Sequence, residues 1–523
     1  MKTRIKSSFF LLTLLVAGTH FGIAKDQNTK KKHPNIIYIL TDDLGYGDIQ
    51  KYNPDGKIPT PNMDKMAENG LMFTDAHTSS SVCTPTRYGI ITGRYNWRSS
   101  LKKGVLGGYS KSLIKKERTT VADMLKTQGY TTAYIGKWHL GWDWVLTEED
   151  PSLNMDNFMV KPKVDFTKKV NNGPTTHGFD YSYGFCASLD IPPYVLIEND
   201  IPTMVPEKYT VSVDGKAMWR SGLTSEDFVH ATLLQDLTKK AVAYIDNITE
   251  QDDPFFLYFP LPAPHTPILP TTAFLGKSNT NLYGDFVMQV DDVLRQIREV
   301  LREKGIAENT LLVFTSDNGC SPKADYEELA KVNHNPSFVF RGAKADIYEG
   351  GHRVPFIVEW PEKGLKNSTS DQTICTTDFF ATCAELTGYK VQDNEAEDSY
   401  SMLPLILGTD EKEIREYTIH HSVNGSFAIR QGDWKLCLCP GSAGWSYPTP
   451  REIKNEKLKL PEMQLFNLKE DIAETNNVIE RYPEKAAELK EALKNIIQNG
   501  RSTVGEIQQN EKGKSWPQIN SII

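Results

Sequence analysis

The stretch NIIYILTDD, residues 35–43, is apolar without a break from Ile36 to Leu40 and then ends on two aspartates. A strand with one wet face alternates apolar and polar side chains. An unbroken run of this length fits a parallel strand covered on both faces instead. The pattern recurs along the chain. Thr60-Pro61 opens a helix that stops at Gly70. TTVADMLKTQGY (119–130) reads as a helix with Gly129 as its stop, and TTAYIGKWH (131–139) follows as a strand. Further on come FFLYFPLPAPH (255–265), the helical FVMQVDDVLRQIREVLREKG (286–305), the strand TLLVFTSDNG (310–319) and RVPFIVEW (353–360). Strands alternating with helices imply an α/β sheet.

Each strand ends in polar residues that have no place in a core: Asp42-Asp43, Lys137 and His139, His265, Asp317-Asn318. In open α/β sheets ligands bind beyond the carboxyl ends of the strands, so these residues group as one site. From about residue 420 the texture changes to short segments such as SFAIRQGDWKLCLC, which resemble antiparallel strands, before a last helix in PEKAAELKEALKNIIQ. The expected organisation is a leader over 1–24, a catalytic domain over 25–415 and a smaller C-terminal subdomain over 416–523. No internal repeat is visible.

The 523-residue chain opens with MKTRIKSSFFLLTLLVAGTHFGIA, where Lys2, Arg4 and Lys6 precede a short apolar run and a small-residue site at Ala24. That is the pattern of a secretory signal peptide. The run is shorter than the roughly 20 residues a spanning helix needs, so export to the periplasm or medium is expected, with no stable membrane insertion. Loss of the three basic residues takes the formal charge from -8 to -11. An acidic protein has no global attraction for nucleic acid, so an anionic substrate must be captured locally. Seven cysteines, an odd number, leave at least one unpaired. Cys375 with Cys383, and Cys437 with Cys439, are either disulfides or buried thiols.

Three carboxylates and an amide oxygen, from Asp42, Asp43, Asp317 and Asn318, suit a hard cation such as Ca²⁺ or Mg²⁺ better than zinc. Each pair alone is also a turn signal, and it is their joint position at strand ends that points to a metal. Arg87, Lys137, His139, His265 and Lys344 add cationic or protonatable groups around it, which describes a socket for an oxyanion such as sulfate or phosphate. Cys83, in SSVCTPTRYGIITGR (80–94), precedes a helix whose free N–H groups add favourable electrostatics there.

At these residues the chain resembles the type I sulfatases. CTPTR (83–87) is similar to their Cys-x-Pro-Ser/Thr-Arg signature, whose cysteine a separate maturation enzyme oxidises to formylglycine. TDDLGYGD (41–48), TGR (92–94), GKWHLG (136–141), PHTP (264–267), TSDNG (315–319) and YEGGHRVP (348–355) follow in family order. The resemblance implies an alkaline-phosphatase-like α/β fold with a large mixed sheet flanked by helices and a smaller C-terminal α+β subdomain with an antiparallel sheet. It also implies that Asp42, Asp43, Asp317 and Asn318, with the converted residue 83, hold Ca²⁺. One hydroxyl of the hydrated aldehyde at 83 would attack sulfur, giving its proton to Asp317. His139 would deprotonate the second hydroxyl, so that sulfate leaves by elimination. Lys137 and Arg87 would orient the nucleophile and neutralise sulfate, while His265 and Lys344 would address the bridging oxygen, His265 as general acid.

Two other classes remain: a phosphatase or phosphonate hydrolase of the same superfamily, and a non-catalytic glycan-binding descendant. The first usually holds two transition metals, and the second predicts losses among the catalytic positions. Within the sulfatases, the motif texture resembles bacterial glycan-degrading enzymes. It implies a sulfated glycan substrate, with terminal galactose or N-acetylgalactosamine of mucin-type chains sulfated at O3 as the leading expectation and heparan-, chondroitin-type or aryl sulfates as alternatives. His177 and Arg353 are candidate sugar-binding residues. The aromatic segments GWDW (141–144) and DYSYGF (180–185) are either a sugar platform or ordinary packing.

Overall fold

The structure, a computed structural model, describes Met1 and residues 33–149, 162–251, 253–409, 412–513 and 515–523. Apart from Met1, the expected leader lies outside the described residues. The main sheet takes, in chain order, β1 (Asn35–Asp42), β2 (Leu71–Phe73), β3 (Thr131–Lys137), β4 (Tyr181–Phe185), β5 (Phe255–Pro264), β6 (Thr310–Ser316), β7 (Phe356–Glu359) and β8 (Ser368–Ser370). A hairpin over Ile197–Glu198 and Ile201–Pro202 completes ten strands in the spatial order β8-β2-β7-β6-β1-β5-β3-β4-hairpin. From β6 through β1, β5 and β3 to β4 the pairing is parallel, and β7 reverses against β6. The sheet is therefore mixed, with a parallel centre.

Every residue of β1 is buried. Ile36, Tyr38 and Leu40 enter one apolar cluster and Ile37 and Ile39 the other, so the run is unbroken because each face of the strand has its own helices to pack against. The helices are α1 (Pro61–Asn69), α2 (Cys83–Thr92), α3 (Val121–Thr127), α4 (Leu233–Ile248), α5 (Leu282–Glu303) and α6 (Phe379–Thr387). Met63, Leu237 and Leu294 of α1, α4 and α5 cover the second face, and Ile90, Leu125 and Phe380 of α2, α3 and α6 the first. α5 begins four residues before the sequence pattern suggested. The Asn281 side chain accepts from the backbone of Tyr283 and Gly284 and caps it there.

A second, four-stranded antiparallel sheet follows: β9 (Thr418–His421), β10 (Phe427–Gln431), β11 (Trp434–Cys437) and β12 (Gln464–Asn467). The last helix, α7 (Pro483–Gln498), packs Leu489 and Leu493 on Ile419, Ile429 and Leu436. Residues 33–523 cluster as one compact unit. Charged side chains reach between the sheets inside it. Lys435 of β11, fully buried, lies 3.0 Å from Glu349 and 2.8 Å from Glu474, and Arg430 of β10 lies 2.7 Å from Asp75.

All seven cysteines are free and buried, so neither cysteine pair is a disulfide. No described helix is long and apolar enough to cross a membrane. Tyr181–Phe185 of DYSYGF form a sheet strand, with the half-buried Tyr181 stacked on Tyr244 at 5.7 Å, and Trp142 and Trp144 are 1% and 8% exposed and belong to packing.

Candidate active site

Cys83 is the first residue of α2 and only 3% exposed. The residues after it are each tied to the site. Thr84 Oγ1 donates to the His139 carbonyl at 2.9 Å, and Thr86 Oγ1 to the Ser80 carbonyl at 3.0 Å. Arg87, one turn on, sends Nε and Nη2 to Asp317 Oδ2 at 3.0 and 2.7 Å and Nη1 to the Lys137 carbonyl at 3.0 Å. CTPTR is thus a helix start whose side chains bind the ends of β3 and β6. Burial pushes the Cys83 thiol up to about 12, against the pull of Lys137 and Lys344. An unmodified thiol there stays protonated at neutral pH and is a weak nucleophile.

Asp42 ends β1, Asp43 follows it, and Asp317 and Asn318 follow β6, the parallel neighbour of β1. The four meet because adjacent parallel strands end at the same edge. Asp43 accepts from Lys344 Nζ at 2.6 Å and Asn318 Nδ2 at 2.7 Å through Oδ1, and its backbone N–H donates to Asp317 Oδ1 at 3.3 Å. Asp42 Oδ2 accepts from Lys137 Nζ at 2.5 Å. Three oxygens in this cluster, Asp42 Oδ1, Asp43 Oδ2 and Asn318 Oδ1, are buried without a hydrogen-bond partner. Buried oxygens are rarely left so, and Asp42, Asp43, Cys83 and His265 bring ligand atoms within 4.8 Å of one another. An all-oxygen set beside Cys83 fits a hard divalent cation.

The electrostatics separate the carboxylates. Burial would raise Asp42, but Lys137, with His265, Arg87 and Lys344, holds it well below the carboxylate range. Burial and the Asp42 charge lift Asp317 to about 6 despite Arg87. Burial opposes the charge on Lys344, and Asp43 more than offsets this, so the ammonium stays protonated.

The two histidines differ. His139 Nε2 meets the Leu106 carbonyl at 2.9 Å, which makes Nε2 the N–H and leaves Nδ1 a buried, unpartnered acceptor. Burial, then Lys137, drives its pKa well below the usual histidine value, so it is neutral. His265 Nδ1 meets the Thr266 carbonyl at 2.5 Å, and its Nε2 lies 3.7 Å from Asp43 Oδ2. Its side chain, 10% exposed, stands at the mouth of the cluster, whereas Arg87 and Lys137 are fully enclosed. Asp43, His139 and Ala345 all have positive φ (68°, 56° and 80°), which costs of order 1–3 kcal/mol each and marks a site held by its surroundings.

The sulfatase family model matches residues 34–389. The chain belongs to the sulfatase family. This sulfatase is 32% identical over 521 residues to an N-acetylgalactosamine-6-O-sulfatase of Bacteroides thetaiotaomicron, covering 92% of this chain and 96% of that one. It is 29% identical to human arylsulfatase A, over 88% of this chain and 87% of the relative. A solved structure from work on glycosaminoglycan metabolism by Bacteroides thetaiotaomicron superposes with a TM-score of 0.75 at 31% identity, covering 89% of this chain and 99% of that one. The sulfatase is accordingly a sulfuric ester hydrolase with the alkaline-phosphatase-like fold.

Two expected sugar-binding residues are elsewhere in the sulfatase. His177 is fully buried, with Nε2 3.3 Å from Ser112 Oγ, and burial lowers its pKa to about 4. Arg353 is spent on the Thr74 carbonyl, Asp75 at 3.0 Å and Glu349 at 3.2 Å, so it belongs to the charged contacts between the sheets. Ser188 was missed. Its Oγ lies 3.3 Å from both Lys137 Nζ and His265 Nδ1 and joins the two halves of the site. The signal is its place three residues beyond β4, at the carboxyl end of a parallel strand.

Proposed function

We propose that this sulfatase is an exported carbohydrate sulfatase that removes sulfate from a terminal galactosamine-type sugar, with Cys83 converted to formylglycine and a calcium ion as cofactor. The observation that carries this reading is the convergence of three unpartnered buried oxygens with Cys83 inside a ring of Arg87, Lys137, Lys344 and His265. Asp42, Asp43, Asp317 and Asn318 would hold Ca²⁺, which would supply positive charge to a sulfate oxygen. The formylglycine hydrate would supply the attacking hydroxyl that a thiol with its pKa near 12 does not.

The chain's own groups do the rest. Arg87 is locked on Asp317, and Lys137 and Lys344 are fixed by Asp42 and Asp43, so the socket needs no reorganisation when sulfate arrives. His139 Nδ1 is a buried, unpartnered acceptor on a neutral ring and suits a base. His265, at the mouth, is where the sugar oxygen departs and suits the acid that protonates it.

For the sulfate position, the relative named for the 6-O position supports O6, in place of the O3 favoured by motif texture. The test combines peptide mass analysis of residue 83 with desulfation of N-acetylgalactosamine and galactose monosulfated at O3, O4 or O6, before and after chelation and on return of Ca²⁺. Activity on O6-sulfated N-acetylgalactosamine, lost on chelation and restored by calcium, is expected. Full activity with residue 83 as cysteine would overturn the nucleophile, and zinc without calcium would favour a phosphatase.

A further inference from the structure

All nine tryptophans of the chain lie among the described residues, and only Trp445 is exposed, at 50%; Tyr447 beside it is 61% exposed. Neither is loose. The backbone N–H groups of Trp445 and Ser446 donate to Asp346 Oδ1 at 2.7 and 3.0 Å, the Ser446 hydroxyl bonds Asp346 Oδ2, and Ile347 N–H donates to the Ser442 carbonyl at 2.9 Å. Gly444 lies so close to this segment that a Cβ there would stand 2.5 Å from the Ala345 carbonyl oxygen. The Trp445 loop is therefore clamped to the segment that carries Lys344 into the site.

The two aromatics line a groove of about 770 Å³ together with Phe340 and Tyr326. This is within the roughly 300–1,000 Å³ of ligand pockets. The turn at Lys216 lines it too, and the Lys216 carbonyl accepts from the Ile268 N–H at 2.9 Å, three residues beyond His265. The lining is thus tied to the Lys344 loop and to the His265 loop. Both loops reach the active site, with Lys344 Nζ 2.6 Å and His265 Nε2 3.7 Å from Asp43.

Lys216, Lys323, Asp325 and Glu327 also line the groove, so its formal charges cancel. Lys216 is itself engaged by Asp325 at 3.3 Å and by Glu328. The groove offers no excess positive charge for a carboxylate or a second sulfate. It offers two exposed aromatic side chains, and aromatic rings pair with the C–H face of an uncharged sugar.

We propose that this groove is a second saccharide subsite, in which Trp445 and Tyr447 hold an uncharged hexose or N-acetylhexosamine linked to the sulfated sugar. The inference rests on the carbohydrate-sulfatase reading and adds that the enzyme prefers an extended, neutral chain to a monosaccharide. It is tested with three probes: 6-O-sulfated N-acetylgalactosamine, the same sugar linked to galactose, and the same sugar linked to a uronic acid.

The wild-type enzyme is expected to turn over the galactose-linked probe with the highest kcat/KM. Trp445→Ala should lower that value roughly 10-fold, about the worth of one aromatic contact, with the monosaccharide unchanged and Trp445→Phe recovering most of the loss. Tryptophan fluorescence should respond to the desulfated galactose disaccharide in the wild type and not in Trp445→Phe. Equal losses on both probes, or no preference for the disaccharide, would overturn the subsite. A preference for the uronic-acid probe would overturn its neutral character. Failure of the wild type on all three probes would instead count against the carbohydrate reading itself.

Discussion

Residues of the same type carry opposite assignments here because their hydrogen bonds differ. His139 spends Nε2 on a carbonyl and keeps Nδ1 as an acceptor, whereas His265 spends Nδ1 and presents Nε2 at the mouth. A leaving-group series separates the two. His265→Ala should cost a sugar sulfate about 10²- to 10⁴-fold in kcat/KM and an activated aryl sulfate far less, because a phenolate departs without a proton. His139→Ala should slow both substrates by similar factors, since its site lies on the enclosed side of the cluster. Equal losses for the two substrates in His265→Ala would move the acid role to Lys344.

At the scale of elements, the site depends on close approaches between loops. A Cβ at Gly319 would stand 1.8 Å from the Gly350 carbonyl oxygen, so the Ser-Asp-Asn-Gly turn rests directly on the Glu-Gly-Gly turn. Gly319→Ala should push the first turn outward and carry Asn318 and Asp317 with it. Activity should fall at least tenfold at saturating substrate while the folded signal persists, and in the proposed calcium-dependent reading the calcium concentration needed for half-activity should rise. Unchanged calcium dependence would show that the contact does not position the ligands. The strand ends were legible in sequence because parallel neighbours must finish together, and the polar residues after β1, β3, β5 and β6 could only meet. His177 and Arg353 were not. A polar residue near a glycine says nothing about which way it faces, and Arg353 is turned inward by Thr74 and Asp75, far away in sequence. The Trp445 groove was equally illegible, since its walls come from three separate regions.

Across the whole molecule, charges far from the site hold the C-terminal sheet in place. Lys435 is the cation between Glu349 and Glu474, and burial together with Glu349 lifts Glu474 to about 7 despite that lysine. Lys435→Met takes the lysine from the buried Glu474, while Glu349 keeps Arg353 at 3.2 Å, and should cost about 3–5 kcal/mol in urea unfolding. Lys102 shows the reverse sign. Its ammonium donates to the carbonyls of Trp97 and Glu511, at 2.8 Å each, and lies over the Trp516 ring, pinning the chain's last segment; burial drops its pKa to about 7 from 10.5. Between those values the unfolded chain binds a proton that the folded chain has released, so this contribution to stability rises with pH. The melting temperature of the wild type relative to Lys102→Met should therefore climb from pH 7 to pH 10. A flat difference would show that Lys102 is not buried as a depressed base.

The enclosure of Cys83 turns its maturation into a question of timing. In the proposed reading a second enzyme must reach that sulfur, yet the folded chain leaves it 3% exposed. The cover is not made by neighbouring residues alone: Ser81 accepts from the Ala345 N–H at 2.8 Å and donates its own N–H to the His421 carbonyl at 3.1 Å. Those partners emerge from synthesis hundreds of residues later. Until they dock, the segment around Cys83 stays accessible to a modifying enzyme. In that reading, a molecule that closes with an unconverted thiol must reopen before it can be converted. The share of active molecules in any preparation is then decided by a race between conversion and closure, and slowing the folding of the C-terminal third should raise that share.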